Sequence, residues 1–166
     1  MKIRKKVLSV LCAAMLLGTI TSIAVPQVQA SDEQTKKVDG SYLTMQESAY
    51  GTTQSEDAKG QYIMVGECSI TKAGRNRIYV YAGTTARKTV NLVSTIVYVD
   101  QYNEKDDAWD QIYAWSKDVE NDYDVSPSKY ITVEPGYYYR VRADHFAGME
   151  YPYEEAFSFT DGIMIK

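Results

Sequence analysis

Residues 89–102 read TVNLVSTIVYVDQY, and this stretch decides the fold. Successive side chains of an extended strand point to opposite faces. Apolar residues occupy both faces here: Val90, Leu92, Ile96 and Tyr98 on one, and Val93, Val97 and Val99 on the other. β-Branched and aromatic residues favour strands, and a strand that is apolar on both faces is buried on both sides. The stretch therefore predicts a central strand.

The segments before this strand also alternate with a period of two. Residues 60–71 and 77–85 are strand-like, and the turn formers at 73–76 join them, which predicts a hairpin. Residues 41–45 predict a short strand. Residues 46–59 are rich in turn formers and predict a loop.

The segment after the central strand fits two patterns. Residues 103–107 (NEKDD) form a short, charged turn. Residues 109–117 fit one face of a strand, whereas residues 109–123 also fit a helical stripe. Because the turn is short, we favour a strand that pairs back on residues 93–102.

The tyrosine-rich segment 137–144 (YYYRVRAD) predicts another strand, after a loop at 121–127 and a turn at 134–136. Alternation divides its side chains between two faces. We expect Tyr137, Tyr139, Val141 and Ala143 to face the core, and Tyr138, Arg140, Arg142 and Asp144 to face solvent. Trp109 and Tyr139 are expected core residues.

About eight short strands with turns every 8–12 residues or so predict an all-β protein. We expect a single antiparallel β-sandwich, immunoglobulin-like, with about seven to eight strands, spanning residues 40–166. In such sandwiches a tyrosine phenol pins a neighbouring corner, and the segment 136–143 fits this role.

The first 30 residues have the pattern of a signal peptide. A basic stretch at 2–6 precedes an apolar run at 7–17, and Ala30 and Ser31 flank a typical cleavage site. The apolar run is short of the ~20 residues of a spanning helix, which disfavours an uncleaved anchor. We therefore expect a secreted protein that no longer contacts the membrane after cleavage, with a disordered leader at 31–39 and, at most, non-covalent association with the cell surface.

Composition excludes several classes of function. Without residues 1–30, the 22 Asp and Glu stand against 14 Lys and Arg, which disfavours nucleic-acid binding. His145 is the only histidine, and Cys68 is the only cysteine after the signal peptide. This excludes a multi-histidine zinc site and an internal disulfide. We expect Cys68 to be buried in a monomer, and the alternative is a Cys68-linked dimer.

Most of the negative charge lies in residues 100–124. Four carboxylates alternate there, as in calcium loops: Asp118, Glu120, Asp122 and Asp124. The pattern departs from an EF-hand because Tyr123 and Lys129 occupy the positions of the loop glycine and the final glutamate. We interpret the segment as a solvated acidic edge, with these four residues as a weak calcium candidate and no other cofactor.

The sequence does not favour an enzyme. A catalytic histidine would have to be His145, and no Gly-x-Ser-x-Gly nucleophile elbow accompanies it. We expect instead a strand-end histidine that hydrogen-bonds a nearby loop. A small hydrolase with His145 as its base is the third alternative for the function.

Aromatic residues favour a binding role. The chain has 15 Tyr, 2 Trp and 3 Phe, more rings than one small core hides, and tyrosine suits adaptable binding surfaces. The candidate ligand-binding residues are Tyr138, Arg140, Arg142 and Trp115, and an arginine pair beside an aromatic ring suits an anionic or glycan partner. We expect a secreted, non-catalytic module that binds a surface glycan or a protein. The second alternative is an effector or inhibitor of another secreted protein.

A combination of motifs resembles a known family. Thr84-Thr85-Ala86 precedes the valine-rich strand, and Gly136-Tyr137-Tyr138-Tyr139-Arg140-Val141 precedes His145. The segment Ile96–Tyr98, Trp109 and the ending at residues 160–163 complete the pattern. Together they resemble an uncharacterised family of small secreted proteins from Gram-positive, largely gut-dwelling bacteria, over residues 40–165. The resemblance implies secretion and a single small domain, and it implies no activity and no functional residue.

Overall fold

The computed structural model describes residues 36–53 and 60–166. The predicted signal peptide, its cleavage site at Ala30 and Ser31, and residues 31–35 of the predicted leader lie outside these residues. Across the described chain the structure is all-β and contains no helix, as the sequence predicted.

Ten strands follow one another along the described residues. They are β1 (Lys37–Val38), β2 (Ser41–Thr44), β3 (Ser48–Thr52), β4 (Ile63–Lys72), β5 (Arg77–Asn103), β6 (Ala108–Val125), β7 (Ser128–Thr132), β8 (Tyr137–Gly148), β9 (Glu154–Phe159) and β10 (Gly162–Ile165). Part of the expected loop at 46–59 is therefore strand β3, which pairs with β4. Lys37 and Val38, assigned to the leader from the sequence, form β1, where the buried Val38 anchors the chain.

The 27-residue strand β5 organises the sheet. Its first half pairs with β4, β7 and the end of β6, and its second half pairs with the rest of β6 and with β8. The prediction of a central strand at residues 89–102 is therefore confirmed. The strand order is β1-β2-β10-β8-β5-β4-β3, with β6 and β7 also on β5, and β9 on β8.

The expectation of a purely antiparallel sheet is wrong, because β2 and β10 run parallel. Only a hairpin connection forces neighbouring strands to be antiparallel. These two strands come from opposite ends of the domain, so their relative direction is free. The result is a curled, mixed sheet.

Residues 109–117 belong to strand β6, so the strand interpretation of this segment is confirmed. The sequence predicted a loop at residues 121–127. This prediction is wrong for residues 121–125, because β6 continues to Val125. Asn121 has a positive φ of 55° near a shift in register between β5 and β6. This irregularity absorbs three extra residues of β5, since residues 86–89 lie opposite residue 123 alone, and pairing continues beyond it.

Two apolar clusters form the core. The larger one draws buried side chains from β4, β5, β7, β8 and β10. The smaller one draws them from the start of β4, the middle of β5 and the ends of β6 and β8, with one residue of β9. Polar residues separate the clusters along β5 and β8, at Thr84, Thr95 and His145.

His145 is fully buried in this polar layer. Its Nδ1 lies 2.8 Å from Thr84 Oγ1, and its Nε2 lies 2.8 Å from Ser158 Oγ. Thr84 donates its one hydroxyl proton to the Ser94 carbonyl at 3.0 Å. The imidazole thus has a hydroxyl partner at each ring nitrogen, and the tautomer decides which nitrogen donates. Gly66 packs so closely on the ring that an added Cβ would clash with it.

Tyr139 belongs to the larger cluster and lies beside the turn between β7 and β8. The side chain is buried, as predicted, and its hydroxyl donates to the Glu134 carbonyl at 2.8 Å. The phenol thus pins the turn between β7 and β8. Trp109 is only half-buried, so the expectation that it is a core residue is wrong: its strand β6 pairs only with β5 among the described residues.

Replacement of Tyr139 should separate packing from hydrogen bonding. Tyr139→Ala removes a buried ring and should lower the free energy of unfolding by about 3–5 kcal/mol. Tyr139→Phe keeps the ring, loses the bond to Glu134, and should cost about 1 kcal/mol. Urea denaturation measures both variants. Equal losses in the two would contradict this packing role.

His145 should make stability depend on pH. Burial lowers the pKa of His145 from 6.5 to about 4, so the unfolded chain binds more protons than the folded chain between these values. The contribution is complete above pH 6.5, falls as the pH drops through this window, and totals about 3 kcal/mol. His145→Gln should flatten the slope of unfolding free energy between pH 6.5 and 5. An unchanged slope would show that other groups cause it.

Candidate ligand-binding site

A cleft of about 610 Å³ opens at the end of the sheet where the turn between β5 and β6 meets the turn between β7 and β8. Its lining comes from residues 101–105, Asp110, Glu134 and Tyr137. Beside it lies a second cleft of about 350 Å³, which shares Tyr102, Glu104 and Tyr137 with the first. We call the two together the tyrosine cleft. Lys36, Leu43, Gly136, Tyr138 and Met164 complete the second part.

Tyr137 is the exposed ring between the two parts, with 42% of its surface accessible. The expectation that it faces the core is wrong. Alternation does place it on the same face as Tyr139, but Tyr137 is the first residue of β8. The turn before it ends at Gly136, which has a positive φ of 89° and donates its N–H to the Ile165 carbonyl at 2.6 Å. The ring therefore lies at the edge of the core and remains accessible.

Tyr102 is the floor shared by both parts and is largely buried. Its hydroxyl accepts from Lys36 Nζ at 2.8 Å and donates to Asp107 Oδ1 at 2.9 Å, while Lys36 and Asp107 lie 2.7 Å apart. The Asp107 carboxylate raises the pKa of Lys36, and the Lys36 ammonium lowers the pKa of Asp107. This triangle holds the start of the described chain against the β5–β6 turn.

The turn itself is built by Asn103. Its side-chain oxygen accepts from the N–H groups of Lys105 and Asp106 at 3.1 and 3.3 Å. Its amide nitrogen donates to Asp106 and Asp110, both at 2.9 Å. An asparagine that bonds its own following backbone forms a stable local turn. The turn places Glu104 in both parts of the cleft.

The four candidate ligand residues do not form one patch. Tyr138 is half-buried and lines the second part of the cleft, with its ring edge-on to Tyr102 at 6.4 Å. Trp115 is half-buried against the larger core cluster, and the ammonium of Lys129 lies 4.7 Å from the ring centre. Arg142 is partly exposed and lies over the ring of Tyr98 at 4.8 Å.

The expectation that Arg140 is exposed is wrong, because only 3% of it is accessible. Its Nε donates to the buried Asp100 carboxylate at 2.9 Å. Its Nη1 donates to the Asp39 carbonyl and to Ser41 Oγ, and its Nη2 donates to the Asp39 carboxylate. The indole of Trp109 lies 4.6 Å from the guanidinium. Arg140 does lie on the outer face of β8, but the chain around β1 and β2 covers it.

The calcium candidates lie along strand β6. Asp118 accepts from Ser94 Oγ, and Asp124 accepts from Thr85 Oγ1 at 2.9 Å. Residues two apart in a strand are about 6.5–7 Å apart along the chain, so Asp118, Glu120, Asp122 and Asp124 do not converge on one ion as a loop would allow. The described residues contain no group of three or more His, Cys, Asp or Glu side chains arranged to hold a metal.

Cys68 is a buried side chain, as predicted, and is not disulfide-bonded. Burial raises the pKa of its thiol to about 12, so little reactive thiolate forms at neutral pH. Its sulfur contacts the Val141 carbonyl at 3.8 Å. A Cys68-linked dimer would need this strand of the core to open. His145 is equally enclosed, since both ring nitrogens contact core hydroxyls, and it lies within β8 rather than at a strand end.

Sequence reasoning missed most of the tyrosine cleft. The sequence pattern shows Tyr102 as one of several strand residues. It shows Glu104 and Glu134 as turn residues with no predicted role in binding. The clearest signal was the turn at 134–136 directly before three consecutive tyrosines. Nothing in the pattern showed that this turn meets the turn at 103–107.

No protein-family model matches this sequence, and no significant match to it is found among curated proteins. Among residues 36–53 and 60–166, no helix has the length and apolar character needed to cross a membrane.

The buried position of Arg140 can be tested against the exposed position that the sequence suggested. Arg140→Met leaves Asp100 buried beside one guanidinium instead of two and should lower the free energy of unfolding by about 3–5 kcal/mol. Arg142→Met is the control: it removes a partly exposed partner of the same carboxylate and should cost about 1–2 kcal/mol. Thermal and urea unfolding measure both. A larger loss in Arg142→Met would contradict the burial of Arg140.

Proposed function

We propose that this chain is a secreted, non-catalytic binding module that holds a saccharide of a cell surface or matrix in the tyrosine cleft. In this proposal the curled sheet is a variant of the immunoglobulin-like sandwich, which presents ligands at the turns of one end. The observation that carries the proposal is the exposed Tyr137 ring, placed between two clefts with polar groups at their rims.

The lining of the cleft suits a sugar. Saccharides offer C–H edges that pack on aromatic faces, and hydroxyl groups that need hydrogen-bond partners. The Tyr137 ring supplies the face, and Tyr138 flanks it in the second part. Gln101 and Glu104 provide amide and carboxylate groups at the rim of the first part. The Tyr102 floor is already held by Lys36 and Asp107, so little order must be gained on binding.

Burial of the reactive groups supports binding over catalysis. A hydrolase based on His145 would need substrate to reach a ring that is fully buried and bonded to Thr84 and Ser158. The cleft lies at the opposite end of β8 from His145. In this proposal His145 stabilises the core and does not act as a base.

One observation favours a protein partner as the second candidate. Strand β6 pairs only with β5 in the part of the chain that the structure describes. Its 18 residues leave a long edge, with Tyr113 and Tyr123 exposed beside it. An open edge of this length can accept a strand from another protein. An effector or inhibitor would use this edge and not the tyrosine cleft.

Replacement of Tyr137 tests the saccharide proposal. We expect the secreted protein to co-sediment with one of a set of purified cell walls, insoluble polysaccharides and mucin. Tyr137→Ala removes the exposed ring and should weaken that binding tenfold or more, since central aromatic contacts dominate such interfaces. Its far-ultraviolet circular dichroism should stay unchanged, because the ring lies outside the core.

Tyr123→Ala is the matched control, since it removes from β6 a tyrosine that is even more exposed than Tyr137. It should bind as the unchanged protein does. Loss of binding in Tyr123→Ala with full binding in Tyr137→Ala would move the interaction to the β6 edge. No binding to any glycan would reject the saccharide proposal.

A further inference from the structure

We propose that the tyrosine cleft selects a cationic saccharide, one that carries protonated amines, through Tyr137 and the carboxylates of Glu104 and Glu134. This inference rests on the proposed function and names the class of ligand. A cationic saccharide differs from the anionic partner that an exposed pair of arginines would have suited.

The larger part of the cleft carries an excess of negative charge. Its lining contains three carboxylates, from Glu104, Asp110 and Glu134, against one ammonium, from Lys105. In the smaller part, Lys36 is already paired with Asp107. An anionic ligand would meet this excess of carboxylates at short range, whereas a cation would be attracted by it.

Two of these carboxylates have no partner within the described chain. Asp110 accepts a hydrogen bond from Asn103. The side chains of Glu104 and Glu134 have no hydrogen bond or ion pair to any other described residue; only the main-chain carbonyl of Glu134 is used, by Tyr139. Elsewhere, Glu67 accepts from two tyrosine hydroxyls, and Glu154 accepts from two backbone N–H groups. The carboxylates of Glu104 and Glu134 are therefore available to a ligand in the cleft.

The aromatic rings of the protein differ in whether a lysine or arginine side chain covers them. Seven rings in the described chain carry one of the protein's own cations within 5.4 Å of the ring centre, for example Tyr98 under Arg142 and Trp115 under Lys129. Tyr137 and Tyr138 carry none among the described residues. An aromatic face beside free carboxylates is the arrangement that recognises ammonium groups. Tyr137 combines an open face, an enclosing cleft and neighbouring carboxylates.

The chemistry of an amino sugar matches these groups together. Its ring C–H edges can pack on Tyr137, and its ammonium can pair with Glu104 or Glu134. A neutral N-acetylated sugar of the same backbone keeps the ring contact and loses the ion pair. The two sugars therefore separate the inference from the proposed function.

The test compares two hexasaccharides with one backbone: the glucosamine hexamer and its fully N-acetylated counterpart. Isothermal titration calorimetry at pH 6, where most of the amines are protonated, gives both dissociation constants. We expect the amine form to bind at least tenfold more tightly. The preference should shrink as salt rises, because screening weakens ion pairs at exposed sites.

Two double variants, each of which removes two negative charges, locate the effect. Glu104→Gln with Glu134→Gln should reduce the preference for the amine form over the N-acetylated form to about twofold or less. Asp118→Asn with Glu120→Gln makes the same change in net charge on β6 and should keep the preference. Equal loss in both variants would reduce the effect to overall charge and overturn the inference.

Each remaining outcome is also decisive. Equal binding of the two sugars, weakened by Tyr137→Ala, would overturn the cationic preference and support the proposed saccharide site. Tighter binding of the N-acetylated form would do the same. Binding of neither hexamer would overturn the inference, while the proposed function would still be judged by the polysaccharide panel.

Discussion

The buried carboxylate of Asp100 is the constraint on which the end of the sheet that holds the tyrosine cleft depends. Only 1% of it is accessible, and an unpaired charge in such a place costs several kcal/mol. Arg140 and Arg142 both donate to it. Arg140 must in turn satisfy its remaining N–H groups, and it does so at Asp39 and Ser41. One buried charge in β5 therefore holds the β1–β2 segment over the sheet, and Lys36, which lies at its start, reaches Tyr102.

The polar layer around His145 constrains the other half of the molecule. It aligns Thr84 and Thr95, from the two halves of β5, with Ser158 of β9. A one-residue slip of any of these strands would move an apolar side chain into the layer and leave a buried hydrogen-bonding group without a partner. The layer thus specifies register where apolar packing alone would tolerate alternatives. Gly66 is required beside it because no Cβ fits against the imidazole.

Alternation along the sequence predicted the strands well and their environments less well. Residues 89–102 are apolar on both faces, and β5 is central. The parity of Arg140 correctly placed it on the outer face of its strand. Arg140 is buried because β1 and β2, about a hundred residues away in the chain, cover it. No local pattern of the sequence contains that information. Tyr137 shows the converse. Alternation predicted that it faces the core, but the core does not extend to this first residue of β8. The cleft unites residues 101–110 with 134–137 through β5 and β8, a pairing that only the assembled sheet reveals.

Lysine and arginine side chains cover some of the aromatic rings and leave others open to a ligand. Arg142 and Tyr98 are direct cross-strand neighbours in the β5–β8 pairing, so the protein itself supplies the cation that covers that ring. Such a ring is not free to receive a ligand. Exposure alone is a weaker criterion, because Tyr123 is more exposed than Tyr137 yet lies on an open strand with no enclosing walls. Tyr137 is distinguished by what surrounds it: two adjoining clefts, and glutamates that nothing in the described chain neutralises. Because the Lys36 ammonium is already paired with Asp107, a ligand that supplies positive charge would give Glu104 and Glu134 the counterion that they lack.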